Sequence, residues 1–291
     1  MRSLLFVPGD STRKLQKALE SGADALIVDL EDSVAPANKG EARRVALAYL
    51  QEVRPVAERP RLFVRINDVG SRFSEGDLDA VMTGAPDGIV LPKASGGADV
   101  ALLDSRLATR EALHDLPDGG TRIIAIATET PAAVFGCGTY AGASPRLSAL
   151  AWGAEDLSAE IGALASRSGR DWTSPFALVR NLCLFGAAAA EVAAIDTVYT
   201  DFRDLDGLNT ACAEAARDGF AGKLAIHPSQ VPVINTAFTP AAGAIAGARR
   251  VIAAFAELGD LGVTSLDGKM LDRPHLKSAE RLLARAGRNA S

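Results

Sequence analysis

The chain has 291 residues, 48% of them hydrophobic and 23% charged, with a formal net charge of −5. That composition belongs to a globular protein able to bury a full core, which excludes a disordered or disulfide-stapled chain. The acidic balance argues against nucleic acid or anionic membrane as the main partner and leaves anionic small molecules open. Cys137, Cys183 and Cys212 stand far apart in no ligand or disulfide pattern, as suits a reducing cytosol.

In chain order, aliphatic runs alternate with helical patterns. A first strand is expected over residues 3–7, and the apolar run there is too short for a signal sequence. Ser11 stands where it would cap a helix through Leu15, Ala18 and Leu19, with Gly22 where a helix end favours a left-handed residue. Strands follow at 25–30 and 62–66, separated by Ala42, Val45, Tyr49 and Val53 at helical spacing. Further strands are expected at 88–91, 122–127, 147–152, 193–199 and 223–226. Thr130-Pro131, Ser174-Pro175 and Thr239-Pro240 each set a capping hydroxyl before a proline suited to a first helical turn. Residues 182–195, the most apolar long stretch, are interrupted by Glu191 and too few to span a bilayer. We therefore expect a soluble, cytoplasmic protein. Beyond Leu258, residues 259–269 are polar and turn-rich, and 273–286 read as a short basic helix.

Most of these strands are continuous apolar runs, as parallel strands covered on both faces are. Eight strand–helix alternations point to a (β/α)8 barrel, with a doubly wound open sheet as the competitor. The expected division is a catalytic domain over 1–258 and a C-terminal extension over 259–291.

In a barrel of this kind, residues just past the carboxyl ends of the strands build the site. The second strand ends in Asp29-Leu30-Glu31-Asp32, the third in Arg65-Ile66-Asn67 and the fourth in Pro92-Lys93. The fifth ends in Glu129-Thr130-Pro131, the sixth in Gly153-Ala154-Glu155-Asp156 and the eighth in His227-Pro228. Carboxylates, one arginine and one lysine thus converge on a single rim. Such a set suits Mg²⁺, which takes one or two protein carboxylates and keeps water or substrate oxygens elsewhere. Glu129 and Asp156 are the best pair, although each alone also reads as a carboxylate at a helix start. Arg65 carries the fork that grips a substrate carboxylate, or else a structural ion pair to Asp29, Glu31 or Asp32. Lys93 reads as electrostatic or structural, because nearby carboxylates raise its pKa whereas Schiff-base chemistry needs it lowered. His227 reads as a structural hydrogen-bonding group, and His114 and His275 as surface helical residues. Neither GxSxG, a P-loop nor HExxH occurs, which disfavours a serine hydrolase, a P-loop ATPase and a zincin.

Ser3-Leu4-Leu5-Phe6-Val7-Pro8-Gly9, the strand-end motifs above, and Ala225-Ile226-His227-Pro228-Ser229-Gln230 together resemble citrate lyase beta-subunit-like (CitE-like) proteins. These belong to the HpcH/HpaI aldolase superfamily, and the likeness runs from residue 3 to about residue 275, near the malyl-CoA and citramalyl-CoA lyases. It implies a TIM barrel with a C-terminal helical lid extension. It also implies Mg²⁺-dependent chemistry, with Mn²⁺ as a substitute, that makes or breaks a carbon–carbon bond between a 2-oxo acid and an acyl-CoA. The substrates implied are malyl-, citramalyl- or citryl-CoA-like.

By matching motif, Glu129 and Asp156 would hold the metal and Arg65 the 2-oxo acid carboxylate. Glu31 and Asp32 would bond to metal-bound waters, and Pro92, Gly153 and Ala154 would border the substrate. Arg13 and Lys17 would face the CoA phosphates. Asp267-Gly268-Lys269-Met270-Leu271-Asp272-Arg273-Pro274 resembles the lid of the acyl-CoA lyases, so Asp272 would close over a neighbouring subunit's site and act in proton transfer. A homotrimer or hexamer is expected on that basis. Three other readings stay open: a malyl-CoA thioesterase, a CoA-independent class II 2-oxo acid aldolase, and a non-catalytic acyl-binding subunit.

Overall fold

Alternate residues of the first strands serve two cores. Leu4, Ala25, Ile27, Phe63, Val90 and Ile124 meet in one cluster, while Leu5, Leu26, Val28, Leu62 and Ile89 join a second, larger one. Strands buried on both faces in this way close into a barrel whose interior is packed. The computed structural model describes residues 1–256 and 262–288. The domain boundary expected at 258/259 lies outside the described residues.

The strands are β1 (Ser3–Pro8), β2 (Ala25–Asp29), β3 (Arg61–Arg65), β4 (Gly88–Leu91), β5 (Arg122–Ile126) and β6 (Leu147–Ala151). A small hairpin, β7 (Arg167–Ser168) and β8 (Asp171–Trp172), precedes β9 (Ala193–Asp196) and β10 (Gly222–Ala225). The closed order is β1-β10-β9-β6-β5-β4-β3-β2, with parallel pairing between neighbours. All eight expected strands are present, and the closed barrel removes the open-sheet alternative.

The helices between them are α1 (Thr12–Leu19), α2 (Lys39–Val53), α3 (Ser74–Val81), α4 (Gly97–Leu113) and α5 (Pro131–Gly136). They continue with α6 (Glu155–Glu160), α7 (Ser174–Ala189), α8 (Leu205–Asp218) and α9 (Val231–Phe238). Ala42, Val45, Tyr49 and Val53 form the buried face of α2, as their spacing predicts. Three capping expectations need correction. Ser11 makes no side-chain cap bond, Ser174 lies inside α7 behind Thr173, and the Thr239 hydroxyl donates back to the Asn235 carbonyl at the end of α9. Thr130 does cap α5, accepting from Ala133 N at 3.2 Å.

The stretch Pro228–Ala256 is long and apolar enough to cross a membrane by length and composition. Thr239, with extended ψ 119, and Pro240 split it into α9 and α10 (Ala242–Ala256), so it is not one continuous rod.

The extension corrects another expectation. Residues read as a polar, turn-rich stretch contain a hairpin of β11 (Val263–Leu266) and β12 (Lys269–Asp272), joined at Asp267 and Gly268, whose φ values are both positive. Two such residues make the mirror-image turn that matches strand twist. The helix α11 (Arg273–Arg288) then packs on α10. Its Lys277, Arg281 and Ala284 border a cleft with Arg122, Leu147 and Ala193, the first residues of β5, β6 and β9. The extension therefore covers the barrel end opposite the strand carboxyl termini.

Candidate active site

Strand register sets the first contact of the site. Asp29 and Arg65 end β2 and β3 and are paired Cα partners, so the two side chains emerge side by side. Arg65 Nε and Nη2 each donate to an Asp29 carboxylate oxygen at 2.7 Å, while the Glu31 and Ser33 amides donate to the same carboxylate. Burial alone would push the Asp29 carboxyl up, but the hydrogen bonds and charge of Arg65 outweigh it and leave it below its ordinary value. The guanidinium lies 4.7 Å from the Phe6 ring centroid, a cation–π contact.

Lys93 joins the carboxylates of three strand ends. It sits at φ 53, a left-handed backbone uncommon for residues other than glycine and concentrated at functional sites. That turn aims its amide at Glu129 Oε2, 2.5 Å away, while Nζ donates to Glu31 Oε1 at 2.7 Å. Nζ also stands 3.5 Å from both Asp32 Oδ1 and Asp156 Oδ1. Burial lowers the Lys93 pKa, and Glu31, Asp32 and Asp156 more than reverse this, so the ammonium is held charged. Lys93 is electrostatic glue, as its neighbours imply.

Glu129 is 3% exposed, and its carboxyl is pushed up to about 8, first by burial and then by the charges of Asp156 and Glu31. Glu31 is likewise raised by burial. Its Oε2 lies 2.9 Å from Arg65 Nη1 but makes no hydrogen bond, a buried polar atom left unsatisfied. Asp156, in the first turn of α6, is partly exposed. No group of three or more Asp, Glu, His or Cys among the described residues makes a protein-only metal cage. Two carboxylates beside open space, one buried and short of positive charge, fit a hard cation that keeps most of its positions for water or substrate.

These residues face a cleft of about 430 Å³ at the carboxyl ends of the strands. Asp29, Asp32, Arg65, Glu129, Gly153, Ala154 and Asp156 line it. Glu31 is behind that wall, bonded to Lys93. Pro92 is buried and does not line the cleft, because the chain turns at Lys93. Arg13 and Lys17 are exposed on α1, outside the lining. Asp272 is likewise absent from the lining of its own chain's cleft.

Sequence reasoning missed the apolar floor: Phe6, Ile126, Trp152 and Leu224 line the cleft. Trp152 Nε1 donates to Asp196 Oδ1 at 2.8 Å, and buried Lys223 donates to Asp196 Oδ2 at 2.5 Å, which fixes the indole. His227 is structural as expected, since its Nδ1 accepts from Ser229 N within a capping box and its ring stacks on Phe202.

The HpcH/HpaI aldolase/citrate lyase family profile matches residues 2–228. The chain is 36% identical to a (3S)-malyl-CoA thioesterase of Cereibacter sphaeroides over 287 residues, covering 98% of this chain and 94% of that protein. It is 34% identical to the citrate lyase subunit beta of Escherichia coli, covering 98% and 93% respectively. The crystal structure of CitE from Mycobacterium tuberculosis in complex with magnesium, acetoacetate and coenzyme A superposes with a TM-score of 0.77 at 35% identity, covering 98% of each chain.

Proposed function

The chain belongs to the HpcH/HpaI aldolase/citrate lyase family, and from that premise we propose that it is a Mg²⁺-dependent carbon–carbon lyase of β-hydroxyacyl-CoA thioesters. It would cleave or form malyl-, citramalyl- or citryl-CoA-like molecules from a 2-oxo acid and an acyl-CoA. The observation that carries this reading is the juxtaposition of buried Glu129, Asp156 and the Asp29-anchored Arg65 around one cleft.

Glu129 and Asp156 are the groups that would hold Mg²⁺ (or Mn²⁺ in its place). When bound, the ion supplies the positive charge that polarises the 2-oxo carbonyl. Arg65 is oriented by Asp29 and retains Nη1 on the Glu31 side of the cleft, suited to a substrate carboxylate. Lys93 keeps Glu31 and Asp32 in place, where the two acids would accept hydrogen bonds from water in the cleft. Arg13 and Lys17, exposed on α1, would meet the CoA phosphates at the mouth. Asp272 of a neighbouring copy would move the proton at the thioester α-carbon. Self-association is thus part of the reading. Leu178 and Phe185 are exposed two turns apart on α7, which packs on α5 with its exposed Phe135, an apolar face suited to a subunit contact.

The identity to (3S)-malyl-CoA thioesterases favours a second reading, hydrolysis of the thioester at the same site. A mass-spectrometric product assay with malyl-, β-methylmalyl-, citramalyl- and citryl-CoA, run with Mg²⁺ and with EDTA, separates the two. Metal-dependent release of a 2-oxo acid and a shorter acyl-CoA supports the lyase. Free CoA with an intact hydroxy acid makes it a thioesterase, and no metal-dependent product sinks both.

A further inference from the structure

At the junction of β12 and α11, Asp272 Oδ1 lies 2.5 Å from His275 Nδ1, and the Asp272 amide lies 3.2 Å from the same nitrogen. A residue just before a helix ordinarily turns a side-chain oxygen onto the amides of the first turn. Asp272 does not. Among the described residues no amide of α11 donates to its carboxylate, which is turned to the imidazole instead. A ring nitrogen carries either a proton or a lone pair, so Nδ1 cannot serve the Asp272 amide and an ionised carboxylate together. With Asp272 ionised, Nδ1–H donates to Oδ1. Oδ2 then has no partner among the described residues, and the side chain is 40% exposed.

We propose that His275 is a positioning residue for Asp272, fixing Oδ1 so that Oδ2 is presented outward as the proton acceptor. This rests on the reading above, in which Asp272 acts at a neighbouring copy's cleft. The thioester α-carbon loses its proton to Oδ2, and the C–H electron pair remains on the thioester as the enolate. His275 touches neither reactant. Its contribution is to remove the rotamer freedom of the carboxylate at the end of β12, where a misplacement of about 1 Å costs about 100-fold in rate.

The test uses the full chain with Mg²⁺, a 2-oxo acid and acetyl-CoA in D2O, following deuterium entry into the acetyl methyl group, together with turnover. His275→Leu is expected to lower the exchange rate and kcat by about 10-fold to 100-fold, leaving the KM for acetyl-CoA and Mg²⁺ affinity unchanged. His275→Asn keeps an N–H donor at the Nδ1 position and is expected to restore most of the rate. Asp272→Asn should cut exchange to a small residual rate, and adding His275→Leu to it should lower that rate no further. A wild-type rate in His275→Leu beside an inactive Asp272→Asn overturns the positioning role while the Asp272 reading stands. Full activity of Asp272→Asn, or no exchange by the unaltered protein, overturns that reading and the proposal with it. Losses that multiply in the double variant overturn the proposal in favour of a helix-start role. Should His275→Leu fail to assemble, His275→Asn decides, since slow exchange by an assembled His275→Asn protein is equally fatal.

Discussion

Arg65 lies along the Asp29 carboxylate with two parallel hydrogen bonds of 2.7 Å, and Asp29 is 2% exposed. A guanidinium held this way is aimed before any substrate arrives, and its remaining nitrogen faces Glu31. Asp29→Asn should therefore behave as an Arg65 defect. We expect a rise of about 10-fold or more in the KM for the 2-oxo acid, and a stability loss of about 2 kcal/mol, because Arg65 loses its charge-assisted pair to Asp29 and keeps only Glu31 and Asp32. Arg65→Lys should not rescue either, because an ammonium cannot span both oxygens. The pair also has a pH signature. Asp29 is held below its ordinary value of 3.8, so its stabilisation is present above that pH and is lost as pH falls through the lower, folded value. Acid unfolding of Asp29→Asn should lack that step, and an unchanged acid transition would refute the coupling.

Glu129→Gln and Asp156→Asn test the metal assignment. Each removes one of the two carboxylates proposed to hold the metal without changing the cleft volume, so the fold should survive. Isothermal titration with Mg²⁺ should show binding weakened by at least about 10-fold. Activity should fall with it and recover poorly at high Mg²⁺. Unaltered Mg²⁺ binding in both variants would place the ion elsewhere.

Much of this site was legible because parallel strands announce themselves. Runs such as Ala25-Leu26-Ile27-Val28 are buried on both faces, so their ends, and the chemistry following them, could be located directly. Asp29 was harder. In Asp29-Leu30-Glu31-Asp32 three acids look alike, and only the β2–β3 register shows which one takes the two parallel hydrogen bonds of Arg65. Pro92 illustrates the opposite error: its neighbour Lys93 belongs to the site, but the left-handed turn at Lys93 leaves the proline buried. The hairpin at Asp267-Gly268 carried a readable turn signal that its polar surroundings masked. The apolar floor at Phe6 and Trp152 was invisible because a cleft residue and a core residue have the same chemistry in sequence.

Lys93 separates two aldolase chemistries. A Schiff base requires a neutral amine, and here Glu31, Asp32 and Asp156 overcome the effect of burial and hold the ammonium charged. Borohydride added with pyruvate or glyoxylate should leave activity and intact mass unchanged. Lys93→Gly should relieve the strained φ of 53 yet lose activity, because Glu31 is left without its bond to Nζ. A borohydride-trapped adduct at Lys93 would overturn this account.

Gly153 bears on the same carboxylate from below. Its backbone faces Glu129 so closely that an added Cβ would stand 2.6 Å from Glu129 Cγ. The Thr128 hydroxyl, accepting from Gly153 N at 3.1 Å, ties the ends of β5 and β6 at this level, so the backbone has little room to withdraw. The methyl group of Gly153→Ala must therefore move the Glu129 side chain and not the sheet. Because Lys93 N already holds Oε2 at 2.5 Å, that displacement breaks an existing bond as well as shifting the carboxylate proposed to hold the metal. We expect Gly153→Ala to fold with a melting temperature within about 5 °C of the unaltered protein, since one contact and no core volume changes. Its Mg²⁺ affinity should nonetheless drop toward that of Glu129→Gln. If both calorimetric Mg²⁺ binding and turnover survive this substitution, the position of Glu129 is not what the site depends on.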